Sequence, residues 1–222
     1  MGECLMELHT KPSVLERTWD VEGIPVLTAR VTLPSPETEG RISRRIRRYY
    51  QMQGRAYLRY CERFLFPQAR EAYETAVSSS APLPQWRSEL DYRVTYNENG
   101  LWSLYTQSRE VTEETLLLRR GDTWDLTEGC PIPLSRFFRR RIACKKALFR
   151  EAAAQMEQRQ RAGASRYRED WRRQLRRSLN PRDYYLTEEG IVFFLPMYAV
   201  GGAAEGIPSF LLPWDGLVRP GT

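Results

Sequence analysis

Three pairs of adjacent carboxylates, Glu113-Glu114, Glu169-Asp170 and Glu188-Glu189, are where this sequence comes closest to acid–base chemistry. Glycoside hydrolysis needs two carboxylates and no histidine, so each pair is a candidate. Adjacency argues against them, because neighbouring residues of a strand point to opposite faces. Glu188-Glu189 also falls in an expected β-turn, where solvated carboxylates are ordinary. A working pair would have to converge from separate elements, with Glu113, Glu114 or Asp125 brought near Asp91 at glycosidase spacing.

Other chemistries lack their parts. His9 is the sole imidazole, and no Gly-x-Ser-x-Gly elbow leads into a helix, so a histidine-assisted nucleophile is not expected. Cys4, Cys61, Cys130 and Cys144 are widely spaced, with no C-x-x-C pair, which argues against a zinc site. Four reduced thiols are the expectation, with two disulfides left open. The glycine-rich stretch Gly201 to Gly206 lacks the Gly-Lys-Ser/Thr ending of a phosphate loop and lies between strands, away from any helix start. No catalytic, cofactor-binding or metal-ligating residue is therefore assigned, and no cofactor is expected.

Arginine is the remaining signal. Arg44-Arg45, Arg47-Arg48, Arg139-Arg140-Arg141, Arg172-Arg173 and Arg176-Arg177 lie on expected helices, some beside aromatics. Such helices could hold phosphates while Tyr or Trp stacks on bases. Glu151, Glu157, Glu169 and Asp170 interleave with the runs, however, and arginine suits exposed helical faces. The net charge of +6 in 222 residues speaks of attraction to anions in general, and a solvated face is the favoured reading.

These residues must be carried by something compact. With 41% apolar residues the chain can bury a core as one domain, residues 1–222. No signal peptide is visible at the start, and Ile191 to Pro196 is too short to span a bilayer, so the expectation is a soluble, cytoplasmic protein.

The pass along the chain alternates sheet and helix. A hairpin spans Glu16 to Leu33 around the turn Glu22-Gly23-Ile24-Pro25, ended by Pro34 and Pro36. Glu37 to Phe66 is helical, weakened at Gly54 and ended or kinked at Pro67, with a further helical piece over Gln68 to Val77. The loop Ser78 to Pro84 would divide subdomains 1–80 and 85–217. Ser88–Tyr96 and Leu101–Val111 form a hairpin around Asn99-Gly100. Glu114–Leu118 and Thr123–Leu126 pair around Arg120-Gly121-Asp122. Helices follow over Leu134–Gln160, with Phe138, Ile142, Lys145, Phe149, Ala152 and Met156 on the inner face, and over Ser165–Leu179. Tyr184–Leu195 then forms a hairpin whose turn Gly190 permits, and Ile207–Leu212 is a last strand. The fold class is α+β, antiparallel sheets with helices packed on them.

The C-terminal run carries a resemblance. Tyr184-Tyr185-Leu186-Thr187-Glu188-Glu189-Gly190-Ile191-Val192-Phe193-Phe194, then Tyr198, a Gly-Ala loop to Gly206, Ile207-Pro208 and Phe210-Leu211-Leu212-Pro213-Trp214, resembles the end of the extracellular domain of RsiV-type anti-sigma factors. Related domains precede the catalytic domain of PdaC-type peptidoglycan deacetylases. Tyr96 to Leu104 and Thr123 to Phe138 look like family segments too, so the likeness runs over about residues 88–217.

This resemblance implies a bacterial, non-catalytic binding or sensing module whose partner is another protein. RsiV-type domains bind lysozyme. Gln107 to Glu114 stands where the family has a Gly-Gly-Ala-His loop, and the sigma-binding segment and membrane helix have no counterpart in this sequence. Two other readings remain: a carboxylate-dependent enzyme on cell-wall glycan, and an arginine-rich nucleic-acid binder.

Overall fold

The computed structural model describes residues 7–138, 144–215 and 217. The expected helices near Arg139 to Ile142, and Cys4, lie outside them. The architecture is α+β, with a six-stranded sheet, a three-stranded sheet and helices. The chain divides into two compact units. One comprises His9–Tyr92 and Thr106–Leu117. The other comprises Arg93–Tyr105, Leu118–Thr222 and Met1–Leu8, as far as these are described.

The first of these units opens with β1 (Thr10–Val21) and β2 (Ile24–Pro36), paired antiparallel. The turn is two residues, Glu22 and Gly23, both at positive φ (53° and 80°), as a primed hairpin turn requires. Ile24 and Pro25, expected in the turn, already belong to β2. Pro34 is inside the strand rather than at its end, opposite Pro12. β2 meets its next neighbour over Leu27–Val31, so the missing N–H of Pro34 leaves no ladder bond unmade there.

Helix α1 (Arg41–Tyr60) buries Ser43, Ile46, Tyr50 and Gly54. A side chain at Gly54 would press Leu15, Leu33 and Val31 at 3.3–3.4 Å, so the residue read as a weakness lets the helix approach the strands. A single π-turn, Cys61–Leu65, then leads directly into α2 (Phe66–Ser79). Pro67 stands at the start of α2, directly after the π-turn, and the helix continues through it where the sequence suggested an end or a kink. Ser80 closes α2 in the left-handed conformation, with Ala81 N–H on the Ala76 carbonyl at 2.9 Å. Trp19, Val26, Leu27, Cys61, Leu65, Tyr73 and Trp86 form the core of this unit.

Strands β3 (Trp86–Glu98), β4 (Leu101–Val111) and β5 (Thr115–Asp125) contribute residues to both units. The sheet order is β1-β2-β3-β4-β5-β6, with β6 at Cys130–Pro131. β2 and β3 are parallel, a pairing that the long helical connection between them allows and a hairpin could not. Asn99 and Gly100 make the expected tight turn, at φ 54° and 71°. β4 runs to Val111 as expected, and only Thr112–Glu114 turns. One expectation fails beyond it. Arg120-Gly121-Asp122 is not a turn: β5 runs through it unbroken. Gly121 is there because a Cβ would lie 1.8 Å from the Tyr184 carbonyl oxygen.

In the second unit a short 3-10 turn at Leu134–Phe137 precedes α3 (Cys144–Arg161) and α4 (Trp171–Ser178). The buried face of α3 is Cys144, Leu148, Ala152 and Met156. The expected face put Lys145 inside, but that residue is exposed. Phe138 is extended rather than helical, and Ile142 is not described. Helix α4 begins later than expected, because Tyr167 is held extended in a bridge with Gly201.

The small sheet is β7 (Tyr184–Leu186), β8 (Gly190–Phe194) and β9 (Ser209–Pro213), antiparallel with β8 central. Ile191, Phe193 and Phe194 are at most 3% exposed, as a two-sided apolar strand demands. Gly190 is needed for contact more than for its turn: a Cβ would sit 2.2 Å from the Leu212 carbonyl oxygen. The Ser103 hydroxyl, fully buried, accepts the Leu186 N–H at 2.9 Å and bonds Thr123 at 2.8 Å, joining β4, β5 and β7.

Candidate functional site

The carboxylates favoured by sequence either serve local structure or are exposed. Asp125, at the end of β5, accepts the N–H groups of Thr127 (2.7 Å) and Glu128 (3.0 Å) and so closes the turn before β6. Asp170 accepts from Arg173 (2.6 Å) and Gln174 (2.8 Å); the arginine bond, then the glutamine bond, hold its carboxyl below the ordinary carboxylate range. Glu188 and Glu189 are exposed in the β7–β8 turn, where the Trp214 indole N–H bonds the Glu188 carbonyl at 3.0 Å. Glu113 and Glu114 are exposed in the β4–β5 turn, and Asp91 is exposed on β3.

The structure gathers a different pair. Asp122 on β5, 7% exposed, lies 3.4 Å from the Arg120 guanidinium. It and Asp183 line one cleft of about 560 Å³, walled by Pro131, Pro133, Pro181 and Tyr184. Partial burial raises the Asp183 carboxyl above its usual range, against a bond to Asn180 and the charge of Arg120. Asp122 was hidden from the sequence reading because Gly121 resembled a turn, which would have left its neighbour solvated.

A second polar cluster is buried in the other unit. The Glu110 carboxyl, 3% exposed on β4, accepts the Tyr60 hydroxyl at 3.2 Å through one oxygen, and its other oxygen has no partner. Tyr57 bonds the Ser88 hydroxyl at 2.7 Å, and the Cys61 thiol approaches the same hydroxyl at 3.5 Å. Burial pushes the Tyr60 hydroxyl up to about 12, and raises Glu110, Cys61 and Tyr57 too. Alternation along β4, which turns Thr106, Ser108 and Glu110 inward, was the available signal.

Residues 135–215 match the family model of DUF3298, a protein of unknown function. The whole chain also shares its fold with solved members of that family. A Bacteroides fragilis member is 14% identical, covers 96% of this chain and 94% of its own, and superposes with a TM-score of 0.63. A Pseudomonas aeruginosa member is 16% identical, covers 97% and 96%, and gives 0.60. No curated protein matches the sequence.

The matched segment holds α3, α4, the small sheet and the Asp183 side of the cleft; Asp122, Glu110 and β1 precede it. Three of its arginines lie over aromatic rings. Arg172 pairs with Glu157 at 2.5 Å and lies over Trp171, while Arg176 covers Phe149. Arg159 donates to the Ser209 carbonyl at 2.8 Å and covers Phe210. Ahead of the segment, Arg47 holds the Pro36 carbonyl and Glu39, whereas Arg44, Arg45 and Arg48 are exposed. Arg139 to Arg141 lie outside the described residues.

Among those residues no group of three or more His, Cys, Asp or Glu could hold a metal ion. No described helix is long and apolar enough to cross a membrane. Cys61 and Cys144 are buried thiols, and Cys130 reaches Glu128 at 3.5 Å.

One further surface stands out. β1 is the outer strand of the six-stranded sheet, twelve residues long, and it is exposed from Lys11 to Thr18, with Trp19 buried. Val14 and Leu15 are 44% and 39% exposed.

Proposed function

We propose that this chain is a non-catalytic module that binds another protein, and that β1 is where the partner docks. The open edge of β1 carries the reading. An edge strand presents unpaired N–H and C=O groups along one side, which an extended segment of a partner can complete. Proteins commonly blunt such edges with lysine, proline or a bulge. Here Pro12 and the register shift at Trp19/Asp20 guard the two ends and leave Ser13 to Thr18 open. The resemblance to RsiV-type domains, which bind lysozyme, supports recognition as the role. The β4–β5 connection departs from those domains and carries Glu113 and Glu114.

Surface plasmon resonance against lysozyme, and against proteins captured from bacterial extract, tests this reading. Val14→Lys should weaken a genuine partner at least tenfold, about 1.4 kcal/mol, while leaving the thermal melt unchanged. A partner held equally well by the variant would remove β1 as the docking edge.

The Asp122–Asp183 cleft supports a second reading, an enzyme that cuts cell-wall glycan with two carboxylates. On the binding reading, purified protein releases no soluble fragments from peptidoglycan. Release that disappears in Asp183→Asn would replace binding with catalysis.

A further inference from the structure

We infer that Glu110 is a proton-controlled latch that fastens the π-turn of the α1–α2 helix to the sheet. The latch is independent of where a partner docks and rests on one geometric fact. A carboxyl on β4 is almost wholly enclosed, has one weak donor, and has one oxygen with none.

The groups facing it are hydroxyls and a thiol. Tyr57, Tyr60 and Cys61 come from the end of α1 and the π-turn, Ser88 from β3, and Ser108 from β4 itself. No ion pair reaches Glu110 among the described residues. A buried carboxylate in such a setting lacks the counter-charge that burial of an ion requires, so the neutral acid is the form the cluster accepts. The neutral acid also carries an O–H, which can donate to the lone pair of a neighbouring hydroxyl.

The π-turn is the element this controls. It holds an extra residue per turn, and it sets Cys61 against Ser88 with Tyr60 over Glu110. When Glu110 is ionised inside the cluster, the carboxylate gains by reaching water. The shortest route is for the π-turn to lift from β4, which exposes Tyr60 and the Cys61 thiol.

The sign of the pH dependence follows. Burial raises the folded carboxyl above its unfolded value. Below the unfolded value both states are protonated and the stability from this contact is fully present. As pH rises the unfolded chain ionises first, so stability is lost until the folded carboxyl has ionised too.

Urea unfolding of wild type and Glu110→Gln, at intervals from pH 4 to pH 9, provides the test. The isosteric amide cannot ionise. The wild-type unfolding constant should therefore rise relative to the variant with pH, to roughly tenfold, the scale of one buried polar group without its partner. Curves that stay parallel across the range would overturn the latch.

A direct titration covers the case in which the variant does not fold. In wild-type protein labelled with carboxyl-13C glutamate, one resonance should titrate above the others, and Tyr60→Phe should move it further up. A Glu110 resonance that titrates with the exposed glutamates would equally refute the proposal.

Discussion

Gly121→Ala should yield little or no folded protein. The added methyl would lie 1.8 Å from the Tyr184 carbonyl oxygen and 2.6 Å from its carbon, and both are backbone atoms that no rotamer change can move aside. Tyr184 is itself held, 4% exposed, with its hydroxyl on the Ile132 carbonyl. Relief of the clash therefore means displacing β7 from β5, and with it the bond from Leu186 N–H to Ser103. A cost above about 4 kcal/mol is expected, against a total stability of roughly 5–15 kcal/mol for a typical domain. Gly202→Ala is the matched control, since no atom lies within 4 Å of the added Cβ. Soluble yield and far-UV circular dichroism melts would separate them; a Gly121→Ala protein that melts like wild type would show that β5 and β7 are not in this contact.

Phe137→Ala should cost about 3–5 kcal/mol, the usual range for emptying a large aromatic site. Phe137 is fully buried although it sits in a four-residue 3-10 turn, and its ring meets Tyr184 and Trp214 at 6.1 Å each. Neither neighbour can collapse into the void freely, because Tyr184 is tied to Ile132 and Trp214 to the Thr187 and Glu188 carbonyls. The cavity term should thus be paid nearly in full, with a fall in Tm of roughly 10 °C for a chain of this size. Phe137→Leu, which keeps much of the volume, should recover more than half of the loss.

These two sites show how legibility varied along the chain. Phe137 was passed over for its neighbour: the expected inner face began at Phe138, but a 3-10 turn stands where a helix was expected and the Phe137 ring is the one fully buried. Gly121 was visible as a glycine and misread as to purpose. A glycine serves either a positive φ or a close approach, and only the approach of Tyr184, 63 positions away, decides between them. Gly190 and Gly54 were misjudged for the same reason. Pro67 is the converse, since the sequence could not show that a π-turn would precede it and that the helix would run on. The candidate site fared worse. Asp125, one of the carboxylates that might have converged on Asp91, turns out to cap a turn, whereas Asp122, Asp183 and Glu110 owe their surroundings to distant segments.

What the sequence determines by itself is the order and type of its elements. Alternation with β-branched residues, three-and-four spacing, and Asn-Gly or Glu-Gly turns are local preferences, acting within a few residues. They produce the first hairpin, the long helices, the Asn99-Gly100 hairpin and the apolar strand Ile191–Phe194. What only the tertiary structure decided is which polar groups lose water together and which strands become neighbours. The parallel β2–β3 pair, the cleft of Asp122 and Asp183, and the enclosure of Glu110 all join residues far apart in the chain. Their energies come from desolvation and close contact, which are properties of the packed chain rather than of any one segment.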